Sequence, residues 1–350
     1  MDFADRTVLV VGGAGYVGSV LVTRLLDAGA SVRVLDQLIY DNGSALAHLL
    51  DNPRLQFKRG DLRERHDLDQ VAYGATDLVL LASLVGDPIC QKYPELARDV
   101  NENGAKRLID RIDEWGMQHC VFTSTCSNYG IHQSTSLATE SSELNPQSLY
   151  ARTKIAVEEH VLQTSAQREA CTTVLRIATA YGLSPRMRFD LTVSQFTRAL
   201  ASGEPLQVYD ADTWRPYCHV RDIAKAIMAV LTAPAEQVRG EVFNVGDTGQ
   251  QFTKRMIVDE VQKHLPDISV EYREGDTDPR NYRVSFEKIT ERLGFHVDHT
   301  VQNYVAMLAA AVQEGIFAGG DGDSGFGNYE VRHLELPTDR TPAAPAPAIR

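Results

Sequence analysis

Tyr150 and Lys154 stand four residues apart in the run Tyr150-Ala151-Arg152-Thr153-Lys154. On a helix, positions i and i+4 share a face. A phenol beside an ammonium can take a proton from a carbinol or return one to a carbonyl, because the cation favours phenolate against an ordinary value of about 10. The same spacing also arises by chance on amphipathic helices, where it serves packing. Its setting distinguishes this copy. The hydroxyl-rich run STCSNYG (124–130) lies one loop upstream, at the end of a predicted strand. Ligands bind at such strand ends in open α/β sheets.

A second chemical signal is the run GGAGYVG (12–18), with glycines at 12, 15 and 18. A chain turning from strand to helix can press its backbone against a pyrophosphate only where side chains are missing. The helix start then offers N–H donors, here around Gly12, Gly15, Tyr16, Val17 and Gly18, and the positive end of its dipole. An ordinary strand–helix turn is the alternative. Against it stands Asp36, an acid at the end of the next strand, 18 residues after Gly18. A carboxylate there accepts bonds from ribose hydroxyls and repels a 2′-phosphate. Gln37 and Leu38 follow it and bring no cation, so NAD is favoured over NADP. Asp61 and Leu62 end the third strand within reach of an adenine, although Asp61 could equally cap the next turn.

Alternating elements must hold these groups in place. Strands are predicted at 7–11, 32–36, 55–59, 78–82, 120–124 and 172–177. Helices are predicted at 16–28, 94–115 and 149–165, with Pro94 opening the second and Gly116 stopping it. Strands alternating with helices of this length specify an α/β fold, a Rossmann-type doubly wound parallel sheet. Beyond about 181 the rhythm changes. Helices are expected at 191–201, 222–231, 254–263 and 299–313, and strands at 206–209 and 242–245. We therefore expect a dinucleotide domain over 1–180, with segments near 215–250 returning to it. A smaller, partly interleaved substrate lobe follows over 181–318. Residues 319–327 are rich in Gly and Asp, and 337–350 form a Pro/Ala tail expected to be disordered.

Composition narrows the partners. The 350 residues carry a net charge of -12 and are 43% hydrophobic, enough for a sizeable core. An acidic chain makes a nucleic-acid or anionic-membrane surface unexpected. The five cysteines are scattered without a C-x-x-C pair, so neither a disulfide framework nor a metal cage is expected. There is no leader-like segment and no run of about 18 apolar residues, which points to a cytoplasmic protein without a membrane span.

GGAGYVG, Asp36, STCSNYG, YARTK, WRPYCHVRDIAKAI (214–227) and FNVGD (243–247) occur in an order that resembles the extended short-chain dehydrogenase/reductases. The likeness covers roughly 6–315 and points to the NDP-sugar epimerase/dehydratase family, with UDP-glucose 4-epimerase-like enzymes among its members. It implies an NAD-dependent enzyme acting on a nucleotide-diphosphate sugar. Tyr150 would be the catalytic acid/base, Lys154 would orient the nicotinamide ribose and tune Tyr150, and Thr125 would hydrogen-bond the reacting sugar oxygen. Arg215 and Arg273 match positions that bind the substrate diphosphate, for which a bidentate guanidinium is suited. Thr179 takes the place of a substrate-binding Asn. Arg280 and Arg283 would be further phosphate contacts or surface charge, and His219 a structural hydrogen-bonding residue. The resemblance also implies a homodimer through helices like 94–115 and 149–165.

Departures from the family pattern select the reaction. The 4,6-dehydratases follow the Thr with an Asp-Glu pair, where this chain has Cys126 and Ser127. The 3,5-epimerising relatives place a cysteine where Ser127 stands, one position from Cys126, which is read as packing. What remains is chemistry at one carbinol carbon, with C4 expected. An NDP-4-keto-sugar reductase or NDP-sugar 4-dehydrogenase would use the same residues. A non-catalytic NAD-binding protein is disfavoured by the intact Tyr150, Lys154 and Thr125.

Overall fold

The computed structural model describes residues 2–131, 136–265, 268–275, 280–317 and 326–332. Among the described residues twelve strands run in chain order: β1 Thr7–Val11, β2 Ser31–Asp36, β3 Leu55–Arg59, β4 Asp77–Leu80, β5 His119–Thr125, β6 Cys171–Ile177, β7 Thr179–Tyr181, β8 Leu206–Tyr209, β9 Trp214–His219, β10 Val242–Val245, β11 Gln251–Thr253 and β12 Val270–Arg273. Seven of them make one sheet in the order β10-β6-β5-β4-β1-β2-β3, and every neighbouring pair is parallel. This is the doubly wound sheet the sequence predicts. Its order reverses between β1 and β4, which opens a crevice at their C-terminal ends.

A parallel sheet with helices on both sides must be apolar on both faces. Side chains alternate between two buried clusters accordingly. Val8, Val10, Val32, Val34 and Val121 join one, with Leu21 and Leu25 of helix Tyr16–Asp27 and Ile223 and Ile227 of helix Val220–Thr232. Leu9, Val11, Leu35 and Phe122 join the other, with Val157 and Val161 of helix Leu149–Thr164. Helices Thr192–Ala201, Lys254–Gln262 and Val301–Gln313 pack on one another beyond the sheet. Strands β11-β9-β7 and the pair β12-β8 form two small sheets. Among the described residues no helix is long and apolar enough to cross a membrane.

Two expectations change. The continuous helix 94–115 is instead Pro94–Arg98, a π turn Asp99–Gly104 and a helix Ala105–Ile109. The π turn packs closely on its surroundings. A Cβ at Gly104 would stand 2.5 Å from Leu62, and the Asn101 amide holds both the N–H (2.7 Å) and the carbonyl (3.0 Å) of Leu84. Such bulges gather near functional sites, and Leu84 lines the cleft. The short strands β7, β9, β11 and β12 and helix Glu287–Leu293 were not anticipated, being too short for a periodic signal. Residues 319–325 of the Gly/Asp-rich run and all of 337–350 lie outside the described residues.

Candidate active site

A cleft of about 780 Å³ opens over the C-terminal ends of β1, β2, β4 and β5. Its floor at one end is the glycine turn. Gly12 has φ +91°, which disfavours any other residue, and a Cβ there would come within 2.6 Å of the Ala82 amide nitrogen. A Cβ on Gly18 would overlap the Gly12 carbonyl oxygen and stand 2.8 Å from the Gly13 Cα. Gly15 caps helix Tyr16–Asp27 in an extended conformation. The first turn's amides have no helical acceptors, so they are donors for an anion at the mouth.

Asp36 ends β2 on the cleft wall. Its Oδ2 accepts the Ala14 amide at 3.0 Å and its Oδ1 the Leu38 amide at 2.9 Å. Burial pushes its carboxyl up, against the downward pull of those two bonds. Asp61 and Leu62 also line the cleft. Asp61 is already committed, because its carboxylate is ion-paired to Arg63 at 2.6 Å and takes the Arg63 amide at 2.9 Å. Asp61 thus caps its own turn while it lines the cleft beside Leu62.

At the other end, Ser148 caps helix Leu149–Thr164 by accepting the Ala151 amide at 3.2 Å. Tyr150 falls in its first turn and Lys154 one turn later, on one face. The Lys154 Nζ lies 5.7 Å from the Tyr150 ring centroid and donates to the Thr123 carbonyl at 3.0 Å. Burial brings this ammonium down to about 8. The protein's own groups shift the Tyr150 phenol upward. Burial first, then Cys90 and Asp87, push it well up, against Arg188 and Arg280, which lower it. Thr125 is the last residue of β5, and its Oγ1 accepts the Ser127 amide at 3.1 Å, which leaves its hydroxyl proton to donate into the cleft.

Behind Thr125 runs a buried polar network. Glu158, one turn beyond Lys154, is ion-paired to Arg176 at 2.9 Å and accepts from Asn128 at 2.6 Å and from Ser124. Arg176 continues to the Tyr129 hydroxyl at 3.0 Å, which donates to Asn244 at 2.8 Å. Cys126 is buried, its Sγ donates to the Arg176 carbonyl, and burial pushes its thiol up. It does not line the cleft, as packing requires.

The substrate-side residues separate. Arg215 and Thr179 line the cleft. Arg215 is buried, lies 5.1 Å from the Tyr282 ring and donates to the Trp214 carbonyl at 2.7 Å. Arg273 does not reach the cleft. It ends β12 at the surface, ion-paired to Glu271 at 2.9 Å, because β12 pairs with β8 away from the main sheet. Arg280 enters instead, 3.1 Å from the Asp87 carboxylate and 3.3 Å from the Ser127 hydroxyl. Arg283 covers the Trp214 ring at 5.3 Å and does not line the cleft. His219 caps helix Val220–Thr232 by accepting the Arg221 amide at 3.2 Å, and stacks on His299 at 4.2 Å. Burial brings its imidazole down to about 3. His219, Asp222 and His299 could face one ion, but Asp222 already holds the amides of Asp298 and His299.

Sequence reasoning missed Asp87, Arg186, Arg188 and Asp190, which line the cleft, as do Asn328, Tyr329 and Val331. The one available signal was two arginines and an acid in Arg186-Met187-Arg188-Phe189-Asp190, just after β7. Arg188 and Asp190 pair at 2.5 Å.

The glycine turn, the acid at the end of β2 and the Tyr–Lys pair of helix Leu149–Thr164, held against β5, together define a Rossmann-type dinucleotide-dependent enzyme. The profile of the NAD dependent epimerase/dehydratase family matches residues 8–246, and the chain belongs to that family. Its cofactor is NAD. UDP-glucose 4-epimerase of Lacticaseibacillus casei is 28% identical over 310 residues, 83% of this chain and 91% of that protein. The low-salt glycan biosynthesis protein Agl12 of Haloferax volcanii is 33% identical over 245 residues, 68% of this chain and 76% of that protein. The crystal structure of DesIV, a dTDP-glucose 4,6-dehydratase from Streptomyces venezuelae with NAD and TYD bound, superposes with a TM-score of 0.78 at 26% identity, covering 88% of this chain and 97% of that one.

Proposed function

We propose that the chain is a nucleotide-sugar epimerase that oxidises one sugar carbinol, with C4 the expected centre, and re-reduces it on the other face. One observation carries the reading. The reactive end of the cleft holds a single Tyr–Lys pair and a Thr hydroxyl, and the two positions after Thr125 bring no carboxylate, Cys126 facing away into the core. Asp87, the carboxylate that acts on the Tyr150 phenol, is tied to Arg280, and Asp190 to Arg188. The dehydratase pattern of two acids beside the Thr is absent.

Bound NAD supplies the hydride acceptor, and once reduced the donor, at its nicotinamide. The chain's own residues do the rest. With Lys154 and the positive charge of a bound nicotinamide favouring phenolate against burial, Tyr150 accepts the carbinol proton and later returns it. Thr125 donates to the same oxygen. Lys154, a cation at neutral pH, offsets phenolate charge from one turn away. Arg215 and Arg280 supply guanidinium donors for the sugar's diphosphate. Loss and return of one hydride and one proton leave an isomer and unchanged NAD.

The test is a product and absorbance assay with NAD against UDP-, dTDP-, GDP- and CDP-sugars. A stereoisomer formed without net absorbance at the NADH band supports the epimerase. Stoichiometric NADH formation from a sugar, or NADH consumption with a keto sugar, replaces it with the dehydrogenase or reductase reading.

A further inference from the structure

Residues 326–332 lie beyond the stretch that the family profile matches, yet they cross the mouth of the cofactor cleft. On the nucleotide side, the Arg332 amide donates to the Ile39 carbonyl at 2.8 Å and its guanidinium to Asp41 at 2.9 Å. Asn328 donates to the Val85 carbonyl at 3.2 Å, and Glu330 pairs with Lys92 at 3.4 Å. On the far side, the Asn328 amide donates to Asp190 at 3.3 Å, and the Phe326 carbonyl accepts the Phe189 amide at 2.6 Å. Val331 is buried in the same apolar cluster as Ile39 and Tyr40. Seven residues thus bind both banks of the cleft.

Arg186 stands beneath this segment and donates to the Gly327 carbonyl at 3.0 Å. Its guanidinium is buried, lies 5.3 Å from the Tyr40 ring and lines the cleft. Among the described residues it bonds only backbone carbonyls, those of Met187 and Gly327, and pairs with no carboxylate. Its neighbour Arg188 has Asp190. A buried charge with no carboxylate in contact is costly, and Asp190 and Asp36 offset it only through space. Burial and the Arg188 charge bring Arg186 down to about 10. A bound phosphate would supply an anion in direct contact. Both the cofactor and the substrate carry a diphosphate. Tyr40 and Asp36 place Arg186 at the cofactor's nucleotide end, whereas Arg215 and Arg280 lie by Tyr282 and Ser127.

We propose that residues 326–332 form a strap which, with Arg186, closes over the cofactor diphosphate and retains NAD in the cleft. The inference rests on NAD in this cleft and is independent of the epimerase reading. Its test measures binding alone. The full chain is compared with chains ending at Arg332 and at Phe317, and with full-length Arg186→Ala and Asn328→Ala/Arg332→Ala variants. The readouts are NAD per chain after gel filtration, the NAD release rate into a trap, and UDP affinity. The chain ending at Arg332 is expected to release NAD at the full-length rate. The chain ending at Phe317 and both substituted proteins are expected to release it roughly tenfold faster or more, through a higher dissociation rate constant, with UDP affinity within about twofold. Equal NAD release in all five proteins overturns the proposal. So does Arg186→Ala weakening UDP more than NAD, which would give that guanidinium to the substrate. If the shorter chain does not fold, the release rate of the Asn328→Ala/Arg332→Ala protein decides whether the strap retains NAD.

Discussion

Glu158→Gln should destabilise the protein by about 3–5 kcal/mol, the usual cost of removing one partner from a buried ion pair. The side chains of Glu158 and Arg176 are only 2% and 5% exposed. The carboxylate takes Arg176 Nη2 at 2.9 Å and Nε at 3.0 Å, Asn128 Nδ2 at 2.6 Å, and the Ser124 hydroxyl. Glutamine keeps the shape but turns one acceptor into a donor, so an N–H must face a guanidinium or an amide. Arg176 then keeps only neutral partners, Tyr129 and the Glu140 carbonyl. Against a total stability of about 5–15 kcal/mol this is a large fraction. With a urea slope of about 3 kcal/mol/M, the midpoint should fall by about 1–1.7 M. The assay is urea unfolding of NAD-free protein for the wild type, Glu158→Gln, Arg176→Met and the double variant. The double variant should cost less than the sum of the singles by about 1 kcal/mol or more, since it removes the orphaned charge. A single-variant loss below about 1 kcal/mol, or additive singles, would refute the reasoning that this network is a coupled unit behind Thr125.

Three more outcomes are expected. Tyr150→Phe should bind NAD within about twofold of wild type and lose about 10²–10⁴-fold in turnover; undiminished turnover removes Tyr150 from catalysis. Lys154 titrates near 8 when folded and about 10.4 when unfolded, so the unfolded chain binds more protons between those values and stability rises with pH across that window, by up to about 3 kcal/mol. Buried thiols, raised on folding, oppose the trend in any variant. The readout is therefore the urea stability of wild type minus that of Lys154→Met, which should become more positive from pH 7.5 to pH 10; a constant difference contradicts the assignment. Arg215→Ala should weaken nucleoside-diphosphate binding by about 10–100-fold, and Arg273→Ala should change it less than about twofold, by calorimetry. The reverse ranking would restore Arg273 to the site.

Much of the cofactor end was legible because its determinants are local. Gly12 is required by its φ of +91° and Gly18 by contacts within one turn, and Asp36 follows from the length of one helix and one strand. The break in the 94–115 helix was not legible because the groups packed on it come from outside, Leu62 against Gly104 and Leu84 against Asn101. Neither contact leaves a mark on helical periodicity. The upward shift of Tyr150 was hidden for a similar reason. The spacing to Lys154 shows one neighbour, whereas burial and Asp87 come from the folded surroundings.

By itself the sequence determined the α/β alternation, the phosphate turn, the acid after β2 and the Tyr150–Lys154 face, all of which depend on backbone conformation over a turn or two. Tertiary structure alone decided which distant groups share the cleft. It brought Arg280 to Asp87, Arg186 to Tyr40 and residues 326–332 across the mouth, and it left Arg273 at the surface. The reason is physical. Local spacing specifies which face of an element a residue occupies, but which faces meet depends on how the layers pack, and no short stretch of chain contains that.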